Sequence, residues 1–464
     1  MKKILCVCAC LLVFSAVSAF GAATNRFVST NGTHTAPYDS WVKASTNLYC
    51  AVAWANTNNQ GDIVYVSNGT HYLNETVVVS NTVVQGFTSN YNDVIVSGRG
   101  AVLCFHLNCY YTANPGATLS GITITNGLTP LSDVSVAGGG GVFIRRLGDV
   151  VGAGGLITNC LITGCRANIG GGVYIYRSKK AHIKNSVLEG NSATNGAAGA
   201  VFCLYSFDAN NPPLVQDCVF RYNYAKDNGA GIFAYNRFSV VNCQFVSNIA
   251  LSGGSAIYYT DDGSTPYDPS PVVSNCLMVG NGSGSSYNAT LVSAVPIKIY
   301  NSLFGSNTCT TVSGGIFFGE KATGEVYNCT IANNKVTGGD AYGGGGVRCT
   351  TNTVFVNCII YSNVFTANRS HDNYRPDSPH IFFTNCCTYP MPSYGENNMT
   401  NPPCLVDPPW NFRLSPDSPC VNAGLKQDWM TDSLDLDGVP RIYYGFVDIG
   451  AYEAVYEGTI FGFQ

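Results

Sequence analysis

The chain has 464 residues, of which 24 are Lys or Arg and 28 Asp or Glu, so only 11% are charged, against roughly 25% in an ordinary globular domain. Glycine is abundant at 51 residues, while hydrophobic residues make up 45% and aromatics 12%, a balance that excludes a disordered tail or a charged helical bundle and favours β-structure. The small net negative charge offers a polyanion no attraction, so no nucleic-acid partner is expected.

Residues 1–23 have the layout of a secretory signal peptide: Lys2 and Lys3, an apolar run from Ile4 to Val17, then Ser18, Ala19, Gly21, Ala22 and Ala23. No later stretch is long and apolar enough to cross a bilayer, so the mature chain is expected to lack a transmembrane segment and to be secreted or at the cell surface. Residues 24–72 read as an N-terminal cap and first strand. Leu48, Ala51, Val52 and Ala55 follow the spacing of a short amphipathic helix, ahead of a strand from Ile63 to Val66. Such a helix can cover the raw sheet edges at the end of a stack.

Residues 73–389 carry two interleaved phrases. Asn-Cys-x-apolar-x-x-Asn, with some looseness, starts at Asn159, Asn185, Asp217, Asn242, Asn275, Asn301, Asn328, Asn357 and, truncated, Asn385, at intervals of 25 to 33 residues. In the copy from Asn242, strand alternation puts Cys243 and Phe245 on one face, and Asn248 begins a turn. The second phrase runs from Gly-rich residues into Val142-Phe143-Ile144, Val173-Tyr174-Ile175, Val201-Phe202-Cys203, Ile232-Phe233-Ala234, Ile257-Tyr258-Tyr259, Ile316-Phe317-Phe318 and Val347-Arg348-Cys349. The double step between 257 and 316 leaves the coil near Ala289 without the signature. Two or three short strands per period, with no helical periodicity between them, predict an all-β parallel β-helix of about 11–12 coils, a rod about 55 Å long.

The cysteines follow the repeat: Cys160, Cys218, Cys243, Cys276, Cys329, Cys358 and Cys386 all come directly after Asn or Asp. They read as small buried hydrophobes in a stack and not as metal ligands. The histidines are scattered, and no metal or other cofactor is expected. Residues 390–464 are Pro-rich and then Asp-rich, an irregular C-terminal cap. Cys404 and Cys420 flank its Pro-rich part, a candidate disulfide in an oxidising compartment. Asp432, Asp435, Asp437 and Gly438 echo the start of a Ca²⁺ loop but lack its remaining oxygens, so a capping turn is expected.

Three resemblances arise from these residues. The alternation of Gly253-Gly254-Ser255-Ala256-Ile257-Tyr258 with Phe245-Val246-Ser247-Asn248 resembles the repeats of polymorphic outer-membrane proteins, which are surface-exposed β-helical passengers. The opening, Val28 to Gly32, Pro37-Tyr38, Ser40-Trp41 and Gly61 to Tyr72, is similar to the start of secreted right-handed β-helix proteins, pectate-lyase-like ones included. Phe412 to Gly424, Asp435 to Arg441 and Val447 to Glu453 resemble the choice-of-anchor Q domain. Together they imply a right-handed, single-stranded β-helix and export, with no catalytic set to carry over.

The sharpest functional feature is the middle position of the Gly-rich phrase, Phe143, Tyr174, Phe202, Phe233 and Tyr258, continued by Phe317. Its neighbours are mostly Val, Ile, Cys and Ala and face inward, so alternation aims the rings outward, as a platform for a polysaccharide or a cell-surface partner. Next to it, Arg145 and Arg146 on one coil and Arg177, Lys179 and Lys180 on the next form a basic patch suited to uronate or sulfate groups. The leading expectation is thus a non-catalytic binding protein. The alternative is a glycoside hydrolase or lyase acting on acidic polysaccharide. It would use Asp208, Asp261 and Asp262 on the longer loops of the same edge, with Ca²⁺ in the lyase case. A second alternative is a structural, adhesin-like rod.

Overall fold

The computed structural model describes residues 24–455 apart from 59–60, 110–115, 130–137, 146–153, 179, 205–211, 236, 262–269, 285–288, 339–342 and 377. The expected signal peptide lies outside the described residues. Each coil adds one strand to each of several parallel sheets of 14, 12 and 10 strands, with a shorter sheet of 8 at one corner. The architecture is an all-β, right-handed parallel β-helix, as the two phrases predict. The coil that lacks the Gly-rich signature keeps its strand, Leu291–Ser293, in register between Ile257–Thr260 and Ile316–Phe318.

The Asn-Cys phrase makes a sharp corner. In its second copy the strand His182–Lys184 of the fourteen-stranded sheet ends at Asn185, and Val187–Glu189 of the twelve-stranded sheet follows. Asn159, Asn185, Asp217, Asn242, Asn275, Asn301, Asn328, Asn357 and Asn385 all adopt left-handed backbone, with φ between 45° and 54°. Asn and Asp are the non-glycine residues that tolerate this region best, which is why the phrase opens with them. The following cysteines are fully buried and hold a continuous stripe of the core, with Ile162, Leu188, Phe220, Phe245, Met278, Phe304 and Ile331 beside them. Each such fully buried apolar side chain contributes about 1.5–3 kcal/mol.

The closing Asn of the phrase turns inward. Asn191, Asn223, Asn248, Asn281, Asn307, Asn334 and Asn363 are buried and form a ladder in which each side-chain amide donates to Oδ1 of the next, at 2.8–3.1 Å, ending on Asn373. This satisfies polar groups at a corner where the backbone has left one sheet and not yet joined another.

The two ends are closed differently. The helix Leu48–Asn58 buries Leu48, Ala51, Val52 and Ala55. Its Asn56 side chain donates to the carbonyl of Val78 and accepts from the amide of Ser80, at 2.8 and 2.9 Å. It thereby covers Val77–Ser80, the terminal strand of the ten-stranded sheet.

The C-terminal segment is more than an end cap, because it runs back along the solenoid. Phe412, Ala451 and Tyr452 pack on Leu303 and Ala332, and Leu414, Cys420 and Ile449 on Ile359 and Cys387. The corner residues Asn301, Asn328, Asn357 and Asn385 donate to the carbonyls of Leu434, Asp448, Leu425 and Ala423. The outward amides of the left-handed corners thus become the anchor points of a clasp.

Candidate functional site

The candidate site lies on the outer face of the ten-stranded sheet. In Val142–Arg145, Val142 and Ile144 enter the solenoid core while Phe143 joins a separate apolar cluster with Tyr174, Phe202 and Phe233. Parallel register sets the rings one above another, with centroid separations of 4.9 Å for His106–Phe143, 5.2 Å for Phe143–Tyr174 and Tyr174–Phe202, 5.1 Å for Phe202–Phe233 and 5.2 Å for Phe233–Tyr258. The spacing is that of the strands themselves, so pairing in the sheet dictates the stack.

The column points away from the solenoid core, as alternation predicts, yet it is not the exposed platform expected. Phe143, Tyr174, Phe202 and Phe233 are only 1–8% exposed, Phe317 is also buried, and Tyr258 is half-buried. The cause is the Gly-rich turn ahead of each strand, which folds back over the rings. Gly229 has φ +69°, and a Cβ on it would lie 2.8 Å from Cβ of Phe233. Leu103, Ala197 and Ala198 complete the cover. The rings therefore form a second, narrow core outside the first.

His106 heads this stack, and sequence reasoning missed it. Its coil lacks the Gly-rich phrase, so only strand register, in which His106 sits opposite Phe143, reveals its place. Burial, helped by nearby Arg145, lowers its pKa to about 4, so at neutral pH it stacks as an uncharged ring. Its Nε2 is buried without a hydrogen-bond partner among the described residues.

Accessible surface is found two positions further along each strand, where Asn108, Arg145, Tyr176, Leu204, Tyr235 and Thr260 are in register and all half-buried. The guanidinium carbons of Arg145 and Arg177 lie 5.9 and 5.2 Å from the centroid of the Tyr176 ring. Arg145 and Arg177 are thus brought to one flank and held there by cation–π contact, while Lys180 is half-buried just ahead of the strand His182–Lys184. Arg146 and Lys179 lie outside the described residues. Nε of Arg145 and Oδ1 of Asn108, on register-paired residues, are both buried without a hydrogen-bond partner among the described residues.

Of the acidic residues of the enzyme alternative, Asp261 is largely buried and paired with Lys321 at 3.4 Å. Asp208 and Asp262 lie outside the described residues. The disulfide expected between Cys404 and Cys420 is not formed. Cys404 is exposed, whereas Cys420 is buried against Cys387, whose thiol it raises by hydrogen bonding. The Asp-rich turn is a structural corner. Asp435 Oδ1 accepts from the amides of Asp437 and Val439, both at 2.8 Å, and its Oδ2 from that of Glu453 at 2.6 Å. Among the described residues no three His, Cys, Asp or Glu side chains converge on a point that could hold a metal, and no helix is long and apolar enough to cross a membrane.

No family model matches the sequence, and no curated protein matches it. Among solved structures, the chain is similar to the pectate lyase Pel9A, with 15% identity over 94% of this chain and 98% of that one and a TM-score of 0.48. It is also similar to the A-module of the mannuronan C-5 epimerase AlgE4 of Azotobacter vinelandii, with 12% identity, 72% and 94% coverage and a TM-score of 0.39. For a pectin methylesterase of Aspergillus niger the identity is 11%, the coverage 61% and 87%, and the TM-score 0.35. At such identities these are likenesses of fold.

Proposed function

We propose that this is an exported or surface-held β-helix protein that binds polysaccharide, without cleaving it, along the outer flank of the ten-stranded sheet. The observation that carries the reading is Tyr176, half-buried with the guanidinium carbons of Arg145 and Arg177 5.9 and 5.2 Å from its ring centroid, with Tyr235 and Tyr258 on later coils. A rigid row of aromatic side chains lets sugar rings stack at little entropic cost, and guanidinium forks suit carboxylate or sulfate groups. Export rests on residues 1–23 as a leader. Residues 24–72 act as the N-terminal cap and 390–464 as a clasp with the character of a choice-of-anchor Q domain.

The non-catalytic reading is supported by the ion pair of Asp261 with Lys321, which engages the one described carboxylate of the enzyme alternative. The test is to incubate the purified mature chain with a panel of neutral and acidic polysaccharides, with Ca²⁺ supplied, and to measure both retention and released product. Retention without product is expected, and Tyr176→Ala combined with Tyr235→Ala should lower it at least tenfold. Product release would overturn the non-catalytic reading, and unchanged retention by the double variant would overturn the flank.

A further inference from the structure

A second polar site lies on a different side of the solenoid, near its N-terminal end. Tyr72, Ser97, Arg99, Asn126, Leu128 and Arg166 are among the residues that line a cleft of about 500 Å³. It lies at the N-terminal end of the eight-stranded sheet, whose first strand is Arg166–Ala167, with Leu128 of the preceding coil bridged to Arg166. The twelve-stranded sheet fixes the placement of its walls. Tyr72 pairs with Ser97, Ser97 with Thr125 and Thr125 with Thr163, so the corners bearing Arg99, Asn126 and Arg166 belong to three successive coils.

The chemistry of the lining is one-sided. It holds two arginines and no carboxylate, and neither Arg99 nor Arg166 forms an ion pair among the described residues. In a chain with so few basic residues, two guanidinium groups in one cleft, neither ion-paired among the described residues, are a concentrated positive field. Arg99 lies over one face of the Tyr72 ring, 5.8 Å from its centroid, and Tyr72 is 66% exposed. One more asset is geometric: two rungs separate the arginine-bearing corners, about 10 Å along the axis. A single anion cannot bridge that span, whereas a chain carrying repeated anionic groups can.

We propose that this cleft is a binding site for an acidic oligosaccharide, whose carboxylate or sulfate groups engage Arg99 and Arg166 while one sugar ring stacks on Tyr72. The assignment rests on the reading of the protein as polysaccharide-binding and adds a second, anion-selective site away from the aromatic flank. The test is calorimetric titration of the full mature chain, at low ionic strength, with a linear glucuronic-acid tetramer, a sulfated tetramer, the neutral glucose tetramer and the glucuronic-acid monomer. At least one acidic tetramer should bind at least tenfold more tightly than its neutral counterpart and the monomer, and which one binds identifies the anionic group. Arg99→Gln and Arg166→Gln should each weaken binding about tenfold, as expected for loss of a charge-assisted fork, with unchanged thermal unfolding. Absence of binding by both acidic tetramers, or unchanged binding when Arg99→Gln and Arg166→Gln are combined, overturns the cleft. The flank variant Tyr176→Ala, Tyr235→Ala keeps the two readings apart, since it should lose retention on neutral polysaccharide yet bind the acidic tetramer normally.

Discussion

The side-chain amide of Asn223 donates to Oδ1 of Asn248 at 2.9 Å, and that same oxygen accepts the backbone amide of Asn223 at 3.1 Å. Asn248 in turn donates to the carbonyl of Phe220 and to Oδ1 of Asn281, at 2.9 and 3.0 Å. Every donor and acceptor in this corner is buried, so truncating one rung leaves its neighbours unsatisfied on both sides. Asn248→Ala should cost about 4 kcal/mol, roughly 1 kcal/mol for each of four lost hydrogen bonds. Asn248→Asp keeps the shape but removes both donors and buries a charge, and should cost more at neutral pH. Chemical denaturation of the two variants beside exposed Asn195→Ala checks this, and a loss under 1 kcal/mol for Asn248→Ala would show that the ladder is not coupled.

The stacked rings are predicted to matter for stability before they matter for any ligand. Phe202 lies between Tyr174 and Phe233 at 5.2 and 5.1 Å and is 6% exposed. Phe202→Ala opens a cavity in the outer core and should cost about 3–5 kcal/mol. Tyr176→Ala, on the half-buried column, should cost distinctly less while lowering saccharide retention. Equal stability losses in the two variants would place Tyr176 in the structural stack as well.

These contrasts show what could be read in the sequence. The corner Asn residues and the cysteines behind them were legible because a left-handed turn and a buried small thiol each restrict residue type at a fixed spacing. The aromatic column was legible as a column and in its direction, since alternation decides that. Its burial was not, because the cover comes from turns such as the one at Gly229, whose return over Phe233 depends on a backbone angle that no spacing specifies. The cleft at Arg99 and Arg166 was invisible for a related reason: the two residues are 67 positions apart, and only the rung count joins them. The clasp was not legible, because nothing local marks Asn301 or Asn328 as a partner of residues more than a hundred positions away.

The cysteines lend themselves to direct counting. Of the 17 described, Cys404 is exposed, Cys50 is half-buried and the rest are buried. Desolvation pushes the thiols of Cys160, Cys165, Cys276 and Cys309 up to about 12, far from the thiolate that reacts. The native mature chain, without residues 1–23, should therefore release about one to two equivalents of thiol to a disulfide reagent, and the denatured, unreduced mature chain about seventeen. Cys404→Ser should remove the fast-reacting equivalent. A denatured count lower by two would reveal a disulfide.

The buried charges beneath the clasp predict an alkaline loss of stability. Arg441 is fully buried and pairs with Glu453 at 2.9 Å, close to Asp448 and Asp435. Burial raises the carboxyl of Glu453 to about 8 even with Arg441 alongside, and burial also raises Asp435 and Asp448. A raised acid holds its proton in the folded state after the unfolded chain has released it. The folded state then binds more protons between the ordinary carboxylate value and about 8, so its stability falls as pH rises through that window. His106 acts with the opposite sign, because its pKa is lowered to about 4 and the stability it contributes is lost as pH falls from about 6.5 toward 4. The two contributions separate by mutation. Glu453→Gln, which imitates the protonated acid, should flatten the decline of unfolding temperature from pH 5 to pH 8 and leave the acid limb unchanged, whereas His106→Phe should flatten the acid limb alone. A wild-type unfolding temperature that rises from pH 5 to pH 8 by the same amount in Glu453→Gln would mean that the Arg441–Glu453 pair is ionised throughout and that the clasp is not the pH-sensitive part of the fold.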